Sequence, residues 1–457
     1  MKTASHSLSG CLLPAVIAAA LCPLILAGVG STLIVSLFGL LLCAAGFSRR
    51  SAQIDLRIFR PYLLYCLVGM LSCVNVYRNI SAGSYVSRQL LFPALYLLTA
   101  ALDHRQHAFL KQLCLLCAGG AAAVSTGRFV LDALLYGRAG RLGGVLGNPN
   151  ALGIFLVVSW FALMHCISEE EERFGRLSSF LPYLEPVLLV PLALTLSMGS
   201  FLAMAAGILV ALIRKKRQSS LREAFRYGCR ILAKVSLAVG TGVLLYLSAA
   251  RTGAPWCCLL LLLYALAMTL CWKKLGLFFD RYPKAAALAA VGGFLVTAVI
   301  ILSRPSSPET FLERLEMMRN GAGYLLRNPV LGIGPDQWRI WNRFDADKYF
   351  NTWYIHNSLI HVGAELGMTA LILLLFASVR IFRKDLKPWS KAGFTAFFVH
   401  TLLDATFFHT GIMTLTVITL GEPRLRGKTL GNRTVKLLFG AFALVFLCNL
   451  YYCIRIG

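Results

Sequence analysis

The stretch "YIHNSLIHVGAELG" at 354–367 opens a long apolar run with His356, Asn357, His361 and Glu365. Such groups are expensive in hydrocarbon unless they are partnered or used. An imidazole titrates near neutrality, which makes His356 a candidate general base; capping a helix or bonding a neighbour would suit it equally. Asn357 reads as a helix-start residue. His361 and Glu365 stand at i, i+4 and share a helix face. That spacing fits a structural hydrogen bond, or a Glu365 that orients His356 or holds a substrate hydroxyl. His400 and Asp404 in "FFVHTLLDATFFHTG" repeat the i, i+4 spacing, either as a pair locking two helices or as part of a functional site. No His-Glu-x-x-His is present, and Asp345 and Asp347 in "FDADKY" are the nearest approach to a carboxylate pair, so no metal is expected.

A second chemistry belongs to the arginines. "RLGGVLGNPNALG" at 141–153 sets Arg141 before a glycine-rich loop, with Asn148 or Asn150 capping the next helix. A helix start with open N–H groups beside a guanidinium suits an anion. "LTLSMGSFLA" at 194–203 makes a small-residue turn, Arg251 sits in the turn "AARTGAP", and Arg314 lies in "FLERLEMM". Guanidinium groups stay charged and grip phosphate with a planar fork.

The elements that must hold these residues are apolar helices. The 457 residues are 58% hydrophobic and 14% charged, with a mean hydropathy of +0.69. A soluble chain carries roughly a quarter charged residues. Apolar runs of spanning length recur throughout, and a span needs about 20 such residues. Residues 11–47 are too long for a signal peptide and read as two spans joined near "GVGS". The net charge of +25 does not point to nucleic acid, because the basic residues sit in short segments between the apolar runs. "SRRSAQIDLRIFR", "RKKRQSSLREAFRYGCR", "KKLGLFFDRYPK", "RIFRKDLKPWSK" and "EPRLRGKTLGNRTVK" are cytoplasmic loops by the positive-inside rule, where anionic lipid attracts them. Most of the 14 cysteines fall within apolar runs as small hydrophobes, and "CLLC" (Cys114, Cys117) has no second ligand pair nearby.

The expectation is an all-α polytopic membrane protein with about 12–15 transmembrane helices and one long extracytoplasmic loop containing a surface helix. Its parts are an N-terminal bundle (1–302) with the Arg141 loop, the extracytoplasmic loop (303–353) and C-terminal helices (354–457). Within the loop, Ser306 or Ser307 caps a helix, with Pro308 in its first turn and Glu309 in capping-box position. Phe311, Leu315, Ala322, Leu325 and Leu326 form its apolar stripe, and Asn328-Pro329 ends it. Gly332 and Gly334 supply turns with close backbone approach. The aromatic stretch "WRIWNRFDADKYFNTWY", an interfacial belt and in part a sugar-stacking floor, then leads back to His356. Every cation placed on the outer side except Lys348 is an arginine.

"GRLGGVLGNPNALG", "LTLSMGSFLA", "FLERLEMM…NPVLGIGPDQW" and "YIHNSLIHVGAELG" together resemble the successive motifs of the O-antigen ligase/polymerase family over roughly residues 141–380. The resemblance implies a metal-independent GT-C-type membrane glycosyltransferase without cofactors, in a bacterial inner membrane, with its active site on the extracytoplasmic side. It would take glycan from an undecaprenyl-pyrophosphate carrier and pass it to an acceptor glycan or lipid. By the same resemblance Arg141 and Arg314 hold the pyrophosphate and His356 helps deprotonate the acceptor hydroxyl. Ser197-Met198-Gly199 departs from the family's usual Ser-Arg-Gly, and Arg251, in the turn of the next outer hairpin, is expected to stand in for that arginine at the donor pyrophosphate. Glu365, Asn357, Gly332 and Gly334 support the site. The rival expectation is a multi-pass transporter or lipid-linked glycan flippase without chemistry.

Overall fold

The computed structural model describes residues 2–26, 31–77, 82–137, 140–168, 175–251, 256–302, 307–344, 350, 352–425 and 427–456. Among them the chain is almost wholly helical, with one short antiparallel ribbon pairing Ala52–Ile54 with Lys428–Leu430. Among the described residues eight helices are long and apolar enough to cross a membrane, or nine if the pair Trp256–Leu270 and Trp272–Arg281, bent by 67°, is one span. Four shorter apolar helices accompany them, against the 12 to 15 spans expected. One supposed loop is more helical than the charge pattern suggested. "RKKRQSSLREAFRYGCR" is carried by the ends of Met198–Gln218 and Leu221–Arg251, interrupted only near Ser219.

The chain forms two compact units that cut across the linear division into 1–302, 303–353 and 354–457. One gathers Met1–Leu110, Pro308–Leu386 and Thr401–Gly457; the other gathers Lys111–Ser307 and Lys387–His400. The segment from 308 thus belongs with the first and last helices, while its own core closes on the residues around the start of Ser358–Arg383. Met317, Tyr324, Trp338 and Phe350 pack with Ile355 and Ala364, while Asn75 Nδ2 donates to the Gly332 carbonyl at 2.9 Å.

In the first unit, Thr32–Phe47 lies along Asn432–Ile456 so closely that a Cβ on Gly39 or Gly46 would collide with Phe446 or Phe439. Close approach through small residues is the usual means of joining helices in lipid, where burial of apolar surface gives no advantage. Asn449 Nδ2 adds polar links, donating to Ser36 Oγ at 2.8 Å and Ser87 Oγ at 2.9 Å. In the second unit Glu185, almost fully buried, accepts from Trp272 Nε1 at 2.7 Å and Trp160 Nε1 at 3.4 Å and pairs with Lys234. Those bonds satisfy a carboxylate that would otherwise be prohibitively costly in a bundle interior.

The helix Ser307–Arg327 stands where expected and ends before Asn328-Pro329. Ser306 lies outside the described residues, as do the side chains of Ser307 and Pro308, and with them the proposed cap. The stripe differs from expectation: Met317, Gly321 and Tyr324 face the core, while Phe311, Leu315 and Leu326 are exposed. Spacing identifies an apolar face but not which face its neighbours cover.

The helix Ser358–Arg383 is broken at Gly367, whose backbone (φ 82°, ψ 177°) is open to glycine almost alone. The 328–337 segment fills the break. Met368 N–H donates to the Pro329 carbonyl at 2.7 Å, and the freed carbonyls of Ala364 and Glu365 accept from Ile333 N–H at 3.0 Å and Gly334 N–H at 2.9 Å. A Cβ at Gly367 would strike the Val330 carbonyl. Gly367→Ala is therefore expected to destabilise the fold by on the order of 3 kcal/mol. The check is the midpoint of thermal unfolding in detergent; an unchanged midpoint would show that the clamp relaxes at no cost.

Candidate functional site

His356 stands just before the helix Ser358–Arg383, and Asn357 caps that helix. Asn357 Oδ1 accepts from Leu359 and Ile360 N–H, both at 3.1 Å, while its Nδ2 donates to the Leu402 carbonyl at 3.0 Å. One asparagine thereby fixes the helix start to the 402–409 segment. Ser358 strengthens the junction: its Oγ donates to the Asp404 carbonyl at 2.9 Å and accepts from Phe407 N–H at 3.4 Å.

The 402–409 segment interrupts what hydropathy presents as one span. The helix Pro388–Thr401 ends early, a short 3-10 turn covers Thr406–Phe408, and Thr410–Leu420 follows. Two aromatic anchors hold the interruption. Phe407 packs among Tyr62, Tyr65 and Phe92, and Phe408 stacks on Tyr354 with centroids 4.8 Å apart and planes within 7°. Tyr354 also accepts from Arg88 Nη1 at 3.4 Å. Burial pushes its phenol up to about 12, with the Arg88 guanidinium pulling the other way, so it is protonated at any physiological pH.

This geometry delivers Asp404 to His356. His356 Nδ1 lies 2.8 Å from Asp404 Oδ1, which also accepts from Ala405 N–H at 2.7 Å. Arg314 approaches from Ser307–Arg327: its Nη2 is 3.7 Å from Asp404 Oδ2 and its Nη1 donates to the Leu403 carbonyl at 3.0 Å. Arg314 Nε is buried with no hydrogen-bond partner among the described residues. A carboxylate only accepts, so the Nδ1 bond fixes a proton there and, in the neutral ring, puts the lone pair on Nε2. The His356 side chain is 23% exposed, so that lone pair belongs to a ring open to small polar groups.

The i, i+4 spacing of His400 and Asp404 does not lie on one helix face. Asp404 lies beyond the helix end, and His400 Nε2 meets Ser200 Oγ at 3.2 Å, next to Ser197. Glu365 does not touch His356 either. At 1% exposure its carboxylate accepts from Asp336 N–H at 2.9 Å and Trp338 N–H at 3.0 Å, and sits 3.2 Å from His361 Nε2. It organises the loop carrying Gly332 and Gly334, whose φ values of 66° and 102° are the left-handed ones that glycine tolerates.

Arg141 belongs to the second unit. Its Nε donates to the Thr195 carbonyl at 2.9 Å, and its Nη2 to Asn150 Oδ1 at 2.9 Å and the Leu196 carbonyl at 3.5 Å, so it caps the end of Leu184–Thr195. The expected anion seat at the next helix start is already occupied. Asn148 Oδ1 accepts from Asn150 N–H at 2.8 Å and Ala151 N–H at 3.2 Å. Arg141 does line a cavity of about 1070 Å³ with Arg128, Asp132, Tyr136 and the 140–147 glycines. The side chain of Arg251 lies outside the described residues, as do Asp345, Asp347 and Lys348. The aromatic stretch divides: Trp338, Phe350 and Tyr354 are buried, whereas Phe344 and Trp353 are exposed, with Arg339 over the Trp353 ring at 3.4 Å.

Sequence reasoning missed Asp404 as the partner of His356. The signal available was an ionisable residue inside an otherwise apolar span. Fold and apolar spans define an all-α, multi-pass membrane protein. Comparison with known families finds no matching family model, and comparison with curated proteins finds no match.

Proposed function

We propose that this protein transfers or polymerises glycan from an undecaprenyl-pyrophosphate-linked donor onto an acceptor hydroxyl. In this reading it works in surface polysaccharide assembly, at the extracytoplasmic face of a bacterial inner membrane. The observation that carries the reading is the His356–Asp404–Arg314 cluster: an imidazole held in one tautomer by a carboxylate whose other oxygen faces a guanidinium. The motif resemblance around residues 141–380 supplies the substrate class, and the basic loops supply the sidedness.

In this mechanism His356 Nε2 takes the proton from an acceptor hydroxyl. The oxygen attacks the anomeric carbon, and the bond from that carbon to the carrier phosphate breaks with its electron pair on the departing diphosphate. Arg314 meets that charge with the donors of its partly exposed guanidinium beyond those it gives Leu403 and Asp404. Asp404 stabilises the imidazolium that forms and keeps the ring oriented. Arg141 is assigned to donor phosphate within its own unit, on the wall of the 1070 Å³ cavity.

The direct test supplies the purified protein with an undecaprenyl-pyrophosphate oligosaccharide and an acceptor glycan. Undecaprenyl pyrophosphate should appear in step with glycosylated acceptor. Movement of the donor across proteoliposomes with no cleavage would sink the enzymatic reading in favour of a flippase. Arg314→Lys, a point charge in place of a fork, is expected to lower the initial transfer rate about 10- to 100-fold at unchanged protein yield. A rate equal to the parent's would remove Arg314 from the chemistry.

A further inference from the structure

Away from His356, the first unit holds a cavity of about 230 Å³ lined by Asp55, Arg57, Arg380, Arg383 and Lys384. Its walls come from two helix ends. Asp55 caps Leu56–Leu71, and Arg57 sits in the first turn. Arg380 and Arg383 occupy the last turn of Ser358–Arg383, and Lys384 is its C-cap. Three of the basic loops meet here. The Ala52–Leu430 pairing joins the 48–60 segment to the 422–436 segment, the Asp55 N–H donates to the Pro423 carbonyl at 3.1 Å, and Lys384 Nζ donates to the Glu422 carbonyl. Segments far apart in sequence, all assigned to one membrane side by their charge, thus gather at one end of the unit.

The one carboxylate in this cavity is already committed. Asp55 accepts from the Arg57 N–H at 3.0 Å and lies 3.7 Å from Lys384 Nζ, and both side chains are largely buried. Balanced against that ion pair, the guanidinium groups of Arg57, Arg380 and Arg383 remain in excess around a small concavity. Arg380 is held over the Phe376 ring at 4.7 Å. Three like charges converging on one space repel each other, and an anion with several acceptor oxygens relieves that repulsion while using the guanidinium forks. Nothing in the His356 chemistry uses them. A basic pocket between the ends of two apolar helices matches the recognition of an anionic head group.

We infer that this cavity binds the phosphodiester of an anionic glycerophospholipid from the leaflet that the basic loops face. The test is native mass spectrometry of the full chain in detergent, titrated with phosphatidylglycerol or with phosphatidylcholine of the same acyl chains. Phosphatidylglycerol should be retained in preference to phosphatidylcholine. Its apparent affinity should fall roughly fivefold for each arginine neutralised, hence about 25-fold in the Arg380→Gln/Arg383→Gln protein. Arg57→Gln, on the other helix, should give the single-arginine effect and guards against a local folding defect. Inorganic phosphate at millimolar concentration separates the sources: failure to displace the lipid supports the head group. Full displacement by phosphate would overturn the lipid assignment in favour of a soluble phosphate. Equal phosphatidylglycerol retention by parent and both variants, or equal retention of the two lipids, would overturn the site. These readouts are independent of glycan transfer.

Discussion

His356→Ala is expected to reduce glycan transfer to background while the protein is made and extracted normally. The side chain is partly exposed and its single strong bond is to Asp404, so its loss opens no core cavity. Asp404→Asn is the more discriminating partner. Asparagine can fill the same space, yet its amide can turn an N–H toward His356 Nδ1 and favour the wrong tautomer, placing the proton on Nε2. A positioned base contributes about 10²–10⁴-fold, and a carboxylate that fixes the tautomer can be worth nearly all of it. Asp404→Asn is therefore expected to lower the transfer rate about 100-fold or more, to alter its pH profile, and to leave donor KM near the parent value. A merely structural Asp404 would instead change the unfolding midpoint and leave the pH profile of the remaining activity untouched. Parent-level glycan in cells carrying His356→Ala would reject the role of the imidazole outright.

How much of this was legible follows from what each signal encodes. Asn357 as a helix start, the stop at Asn328-Pro329 and the turn glycines 332 and 334 were readable because local backbone chemistry dictates them. The partner of His356 was not. The run "FFVHTLLDATFFHTG" contains no proline and has its glycine only at its end, so continuous helix was the natural assumption and i, i+4 pairing of His400 with Asp404 followed from it. The break is imposed instead by Phe407 and Phe408, which find aromatic partners in Tyr62, Tyr65 and Tyr354, far away in sequence. Tertiary packing of that kind has no period to read. Arg141 shows the same limit in another form. A guanidinium before a glycine-rich loop looks like an anion site, yet two backbone carbonyls and Asn150 already take three of its hydrogen bonds.

Glu365 was expected beside the chemistry, and its environment argues for a different outcome on mutation. Its two carboxylate oxygens receive the Asp336 and Trp338 N–H groups inside a segment with almost no solvent access, and its own carbonyl receives Gly334 N–H. Glu365→Ala leaves two buried donors without acceptors, each costing about 1–3 kcal/mol. It also removes the carboxylate that stands 3.2 Å from the buried His361 Nε2. Loss of monodisperse protein on size-exclusion chromatography is the expected result. Glu365→Gln keeps one accepting oxygen but turns an NH₂ toward a donor, so it should fold with a lowered unfolding midpoint. The molecules that do fold should retain the parent pH profile, because the Glu365 carboxylate bonds the Asp336 and Trp338 N–H groups and not His356. If Glu365→Gln instead melted like the parent and lost transfer activity, the carboxylate would belong to the reaction and the clamp would be incidental.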